Sequence, residues 1–390
     1  MANTLTSLIP TLYESLDTVS REMVGFIPAV SRNTSAERAA LNETILVPIT
    51  GAQTAADNTP GVTAPNTGDQ TIGNVSMTIS KSKHVPIRWN GEEQKGLTNA
   101  GTYGGILGNQ FTQAFRTLTN MVEADLFNAA LQNASRAYGT AGTTPFGTAG
   151  DLSDIAQVRK LLSDNGSPLT DLQYVGGTST FANLRGKQNV LFKVNEAGTD
   201  ALLRNGIIGR LEGFDLHESV AVTAQTKGTG ASYTTTTAGF PVGTTQIPLI
   251  TGTGTVNPGD YVSVAGDANK YMVTGGISAP GTVTIGAPGL LQAIPASATA
   301  VTVSGSSSLT PNMAFSKSAI QLITRSPQMP MGPDGVAMDM ADDVIQVTDP
   351  VSGIVFDVAV YRQFMQLVYH VRLAWGAAGI KPNHTVVSLG

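Results

Sequence analysis

Four histidines and two adjacent pairs of carboxylates are the residues from which this chain would have to build a catalytic or metal site, and cysteine is absent. A metal site legible in sequence places a second ligand one helical turn from a histidine or at a short fixed spacing. His84, His217, His370 and His384 are far apart along the chain, and none stands at such a spacing. They read as structural or surface residues. A carboxylate general acid and base couple needs two carboxyl groups facing one substrate. Glu92 with Glu93 and Asp342 with Asp343 are immediate neighbours, which in an extended chain project to opposite faces. They read as solvated turn charges. There is no Gly-x-Ser-x-Gly elbow, Walker loop or dinucleotide fingerprint. The glycines of "GTYGGILG" lack a following Lys-Ser or Lys-Thr and a preceding strand, so they mark the loosely wound start of a helix. Catalytic groups can converge from distant positions, but these residues point to a chain that is not an enzyme and carries no cofactor or metal.

The elements that would position any site follow from composition and period. With 390 residues the chain is long enough for more than one core. A net charge of -5, with only 13% charged residues, argues against a free-standing nucleic-acid binder. The 41% hydrophobic content argues against disorder. Low charge with 43 glycines suits a protein whose surface is covered by copies of itself. No cysteine means no disulfide, thiolate site or cysteine nucleophile. The first thirty residues lack the basic start and apolar core of a signal peptide, and no uninterrupted apolar span approaches membrane length, so the expectation is a soluble intracellular product.

Leu5, Leu8, Ile9, Leu12, Leu16, Val19 and Met23 recur at helical spacing, with Glu14, Asp17 and Arg21 on the opposite side. Two readings stand: a surface helix docked on the core, or an arm that packs on a neighbouring subunit or a partner helix. Residues 42 to 90 alternate strand-like runs, "TILVPIT" and "VSMTISKSKHVPIRWN", around a turn-rich segment, which predicts a long two-stranded hairpin with a mobile tip. From Tyr103 to Ala134 the apolar period is helical for many turns, a spine on the order of 45 Å. "DLSDIAQVRKLLSDNG" predicts a second helix, "LQYVGG" a strand and "STFANLRG" a short helix. Between Ala224 and Ser308 only Lys227, Asp260, Asp267 and Lys270 are charged, and short β-type runs sit between Gly/Pro turns. This predicts a small all-β unit inserted with its two ends close together. The last segment predicts strands that complete the core sheet. The fold class is a mixed α+β chain.

Against that background "GIIGRLEGFDLHES" resembles a turn and strand of the major capsid proteins of tailed double-stranded DNA bacteriophages. "LQYVGGTSTFANLR" and "NMAFSKSAIQLITRSPQMP" are similar to the strand, short helix and return segment of that family. "VRLAWGAAGIKPNHTVVSLG" resembles the ending of the coat proteins of short-tailed Salmonella phages, which carry a β-barrel insertion. The resemblance implies the Hong Kong 97 fold, with these divisions: helical arm 1–41, extended hairpin loop and strand into the core 42–90, spine helix and peripheral domain 91–150, mixed α/β axial-type domain 151–223, inserted β barrel 224–308, and return to the core 309–390. It also implies a function: self-assembly into pentamers and hexamers of an icosahedral head, through a precursor shell that matures. Its partners would be further copies of itself, a scaffolding protein, a portal, a decoration protein, and packaged double-stranded DNA held without sequence-specific contacts; no membrane is involved. The protein would be assembled in the host bacterial cytoplasm and reside in the virion. Leu12, Glu14, Leu16 and Asp17 of the arm, and Asp267 and Lys270 of the insertion, are the candidate contacts with neighbours or scaffold. The rival readings are a secreted or surface β-rich binding protein, for which the N-x-S/T triplets at Asn42 and Asn133 speak, and an enzyme with an unrecognised site.

Overall fold

The computed structural model describes residues 24–51, 53, 55–63, 68–99, 103–188, 209–303, 308–334, 338–349 and 352–390. The arm residues Leu12, Glu14, Leu16 and Asp17 lie outside that set, as do residues 204–208 of the arginine-containing turn segment.

The chain enters through a one-turn helix α1 (Phe26–Ala29) and strand β1 (Ser31–Ala39), then forms β2 (Thr44–Thr50) and β3 (Ile72–Thr78). These two pair antiparallel over seven residues each, from Thr44 against Thr78 to Thr50 against Ile72. Alternation sets their faces: Ile45, Val47 and Ile49 are half-buried, while Thr44, Leu46, Pro48 and Thr50 are exposed. The expected hairpin is therefore present. The strand-like run after it holds two strands. The chain turns at buried Ile79, whose N–H donates to Glu43 O, and starts again as β4 (Lys81–Asn90) in a different sheet.

After β4 comes a helix that the sequence did not announce, α2 (Gly91–Asn99), and then α3 (Tyr103–Gln132), within the expected spine. Ala114, Leu118, Val122, Leu126 and Ala130, four residues apart, form its buried stripe. That stripe packs on an outer sheet built late in the chain from β18 (Ile320–Pro327), β19 (Asp343–Thr348), β20 (Val355–Gln363) and β21 (Gln366–Gly379). The sheet order is β1-β18-β21-β20-β19. β21 is its axis: β4 runs along one edge, and β20 and β18 share the other in series.

A second sheet follows the spine. It holds β5 (Arg136–Tyr138), β6 (Leu172–Gly176), β7 (Arg210–Leu211), β8 (Phe214–Glu218), β17 (Asn312–Ser316) and β22 (Thr385–Ser388), in the order β5-β22-β17-β6-β8-β7. Helices α4 (Ser153–Asp164) and α5 (Thr178–Lys187) occupy the spans the sequence predicted, and Ile155, Val158, Leu162, Phe181 and Leu184 bury their apolar faces against Tyr174 and Phe214.

Between these elements lies the low-charge segment. It opens with β9 (Gln225–Thr226) and leaves with β16 (Ser308–Leu309), which pair directly, so the two ends meet as expected. Inside, β10 (Tyr233–Thr235), β11 (Gln246–Ile250), β12 (Tyr261–Val264), β13 (Lys270–Gly275), β14 (Gly281–Ile285) and β15 (Ala300–Val303) pair in the order β12-β15-β10-β11-β14-β13. β13 pairs back to β12, so the ring closes as a six-stranded antiparallel barrel with no free edge. It has its own core, which includes Tyr233, Leu249, Val262, Tyr271, Val273 and Ile285. One further pairing, Lys270 against Ala137 and Tyr271 against Arg136, joins the barrel to β5 at the end of the spine. Gly286 passes so close to Ala134 O that a Cβ there would collide with backbone.

Candidate functional site

The histidines and paired acids were the first candidates, and packing accounts for their positions. His384 is buried, and His217 shares a 2.8 Å hydrogen bond between Nε2 and Gln173 Oε1. Burial lowers the pKa of both below the ordinary histidine value. Sequence distance misled at the other two. His84 on β4 and His370 on β21 stack with ring centroids 4.6 Å apart, because the long β4–β21 register brings them together. Burial, then the neighbouring His84 and Arg372, lower the pKa of His370. Among the described residues no cluster of three or more His, Asp or Glu could hold a metal ion.

Glu93 is not a solvated turn charge. It is buried at the start of α2, where its Oε2 accepts from Asn90 N–H at 3.1 Å and Asn90 Oδ1 accepts from Glu93 N–H at 2.8 Å. This reciprocal cap satisfies donors that a helix start leaves unpaired. Asp342 accepts from Arg362 N–H and pairs with its guanidinium at 3.2 Å, while the Asp343 carboxylate accepts the N–H of Val344.

Asp267 and Lys270 sit at the joint between barrel and spine, and the structure engages both within the chain. Asp267 accepts from Tyr271 OH at 2.5 Å and from Asn269 N–H at 2.9 Å. Lys270 Nζ donates to Gly139 O and lies over the Tyr261 ring. Burial, then the acceptor Asp267, push the Tyr271 hydroxyl up to about 12. Beside them Arg136 is buried. It donates to Leu161 O at 2.9 Å and Asn165 Oδ1 at 2.7 Å, and approaches Asn269 Oδ1 at 3.5 Å. A buried guanidinium thus ties the spine end to α4 and to the barrel loop at once.

Two acids on the spine do comparable work, and the sequence reading passed over both. Glu123 is buried and accepts from Phe26 N–H at 3.0 Å, Ile27 N–H at 2.8 Å and Ser219 Oγ at 2.9 Å. Burial raises its pKa above the usual carboxylate value, outweighing the donors that pull it down. Asp125 accepts from Lys81 Nζ at 2.7 Å and Trp375 Nε1 at 2.8 Å. The spine is therefore the member to which the chain start, the outer sheet and the strand before the barrel are all bonded. The signal was available: Glu123 falls on the apolar side of the helix beside Val122 and Leu126.

Exposed apolar side chains lie on the projecting elements. Leu46 and Ile72 stand out on the hairpin, Phe364 and Met365 at the β20–β21 turn, Met340 just before β19 and Ile345 on it. Phe364 is 91% exposed, a placement that gains nothing within a single chain. No described helix is long and apolar enough to cross a membrane.

No protein-family model matches the chain, and no curated protein matches it. Solved structures do. A chain of Mycobacterium phage Che8 is 14% identical, with a TM-score of 0.51, and the match covers 99% of this chain and 98% of that one. A chain from the capsid structure of the cyanophage P-SCSP1u is 11% identical, also at 0.51, covering 98% of this chain and 92% of that one. The fold is a phage capsid fold, shared from end to end.

Proposed function

We propose that the chain is the major capsid protein of a tailed double-stranded DNA phage, a Hong Kong 97 fold carrying an inserted β barrel over 224–308. The observation that carries this reading is the end-to-end likeness to phage particle chains, with 98–99% of the chain covered. The protein works as a structural unit. Copies form pentamers and hexamers, and these close an icosahedral shell that passes from a precursor to a mature state.

The physical design suits that task. Among the described residues the β2–β3 ribbon has two open edges and one apolar face that is only half covered, so an adjoining copy completes it. The Phe364–Met365 turn offers a second apolar contact. The barrel braces its own subunit through Arg136 and Lys270. Glu14 and Asp17 of the arm are the contacts for a basic scaffold helix, and a portal and a decoration protein join the shell. A net charge of -5 suits a container that confines DNA without gripping it. The alternative of a secreted or surface binding protein loses support because the amide nitrogen of Asn133, in one of the two triplets quoted for it, is buried.

Sedimentation velocity and negative-stain microscopy of the purified chain, concentrated with and without its scaffolding partner, test the reading. Rings, shells or tubes are expected. A strictly monomeric species under both conditions overturns it.

A further inference from the structure

Among the described residues the exposed methionines are Met331, Met338, Met340 and Met365. They fall on two pieces of chain: the segment that leads into β19, and the Phe364–Met365 turn between β20 and β21. Hydrogen bonds fasten the first piece to the strand that enters that turn. Asp342 N–H donates to Val360 O at 2.8 Å, and the Asp342 carboxylate accepts from Arg362 N–H at 3.0 Å. Asp339 accepts from Tyr361 OH at 2.9 Å and from Arg372 Nη1 at 3.0 Å. Met338 N–H donates to Pro330 O at 2.8 Å, which closes the segment on itself next to Met331. The backbone is thus held while four thioethers stand in solvent, Met340 at 90% exposure. Elsewhere methionine is core: Met77, Met272 and Met313 are buried. In a core the flexible thioether fills gaps. In solvent it fills none, and it is open to two-electron oxidation. With no cysteine in the chain, these thioethers are its accessible sulfur among the described residues.

We propose that this cluster is a site of reversible oxidation, at which a peroxide converts the four thioethers to methionine sulfoxides and so releases the contact that the patch makes with another copy. The step balances with hydrogen peroxide as the oxidant. A sulfur lone pair attacks one peroxide oxygen, the S–O bond forms and the O–O bond breaks, and the departing hydroxide takes up the proton left on the transferred oxygen and leaves as water. Sulfur loses two electrons and the peroxide gains them. A methionine sulfoxide reductase supplied with a dithiol runs the change back, the dithiol becoming a disulfide and the oxygen leaving as water. The consequence is a change of polarity at fixed backbone. Four flexible apolar side chains around Phe364 become polar and hydrated, and a patch that suits an apolar contact no longer does. The oxidation site rests on exposure and chemistry alone, whereas the release of a contact between copies rests on the capsid reading.

The test treats the unassembled full-length chain with dilute hydrogen peroxide and follows each methionine by peptide mass spectrometry. Met331, Met338, Met340 and Met365 should convert about tenfold faster or more than buried Met272 and Met313. Equal rates overturn the oxidation site. Particle formation is then compared for untreated chain, oxidised chain, and oxidised chain returned by the reductase. A variant carrying Met331→Leu, Met338→Leu, Met340→Leu and Met365→Leu, which keeps apolar volume, is treated alike. Oxidation should lower the particle yield of the wild type about tenfold, the reductase should restore it, and the leucine variant should assemble with or without peroxide. Undiminished yield from the oxidised chain overturns the release, and so does an equal loss in the leucine variant, because the damage then lies elsewhere. Should the leucine variant not fold, the wild type decides: a loss that the reductase restores supports the release, and a loss that it does not restore overturns it. Untreated chain that forms no particles removes the capsid reading and the release with it, while the peptide rates decide the oxidation site on their own.

Discussion

The barrel and the β2–β3 hairpin use the same antiparallel pairing, yet one is complete within the chain and the other is not. In the barrel every strand has two neighbours, and the inward residues meet one another in a core of Val, Ile, Leu and Tyr. In the hairpin each strand has one neighbour among the described residues. Its inward residues Ile45, Val47 and Ile49 find only a small satellite cluster around Met77 and Ile79. Closure removes edges and supplies a core; a ribbon supplies neither. The difference separates a part that is complete within the chain from a part that the proposed assembly would finish with another copy.

Four substitutions and a fragment sharpen that contrast. The largest effect belongs to the barrel interior. Val262→Asp places a carboxylate at a site 1% exposed with no partner in the core, and should cost several kcal/mol, melting the barrel in a denaturant titration. The fragment 224–308 alone should show β-type circular dichroism and a cooperative thermal transition, because its core is its own; a fragment without a transition breaks the comparison. Gly286→Ala comes next. It drives a methyl into the Ala134 carbonyl and should cost on the order of 1–3 kcal/mol, as a lower first transition of the whole chain with the fragment's own transition altered less.

Glu123→Gln follows, at about 1–3 kcal/mol, since an amide cannot accept from Phe26, Ile27 and Ser219 together without turning a donor toward one of them. Its pH dependence has a definite sign. Burial raises the folded-state pKa, so Glu123 contributes stability that is fully present below the unfolded carboxylate value of about 4.3 and is lost as pH rises through the higher folded value. The margin of wild type over the Gln variant should therefore widen as pH falls from neutral toward about 4.3. A margin that narrows would show that the hydrogen bonds, not burial, set that pKa. The smallest effect on stability belongs to the hairpin. Leu46→Asp, at an exposed position, should change the unassembled chain by about 0.5 kcal/mol or less while abolishing shells, which electron microscopy reads directly.

The parts legible in the sequence were those whose period is local. The spine shows its stripe because Leu118, Val122 and Leu126 recur at one helical turn. The hairpin shows because Ile45, Val47 and Ile49 alternate with exposed residues. Helix α2 did not show. Gly91 and Gly96 suppress its propensity, and its cap needs Asn90 and Glu93 to bond reciprocally, which no periodicity reveals. The His84–His370 stack and the Trp375–Asp125 bond depend on the register of β21, a strand far along the chain from its partners. Asp267 and Lys270 could be recognised as the charges of an uncharged segment, but the β13–β5 pairing turns them toward Tyr271 and Gly139. Closure of the barrel was equally out of reach, since it rests on one pairing, β12 with β13, within a series of similar Thr/Gly-rich strands.

Amide hydrogen exchange, compared between the unassembled chain and assembled particles, tests the central claim most directly. The account predicts that amides of Thr44–Thr50 and Ile72–Thr78 exchange quickly in the free subunit and become strongly protected on assembly, while those of the barrel strands are protected in both states. Hairpin amides equally protected before and after assembly, or barrel amides that gain protection only in the particle, would contradict it.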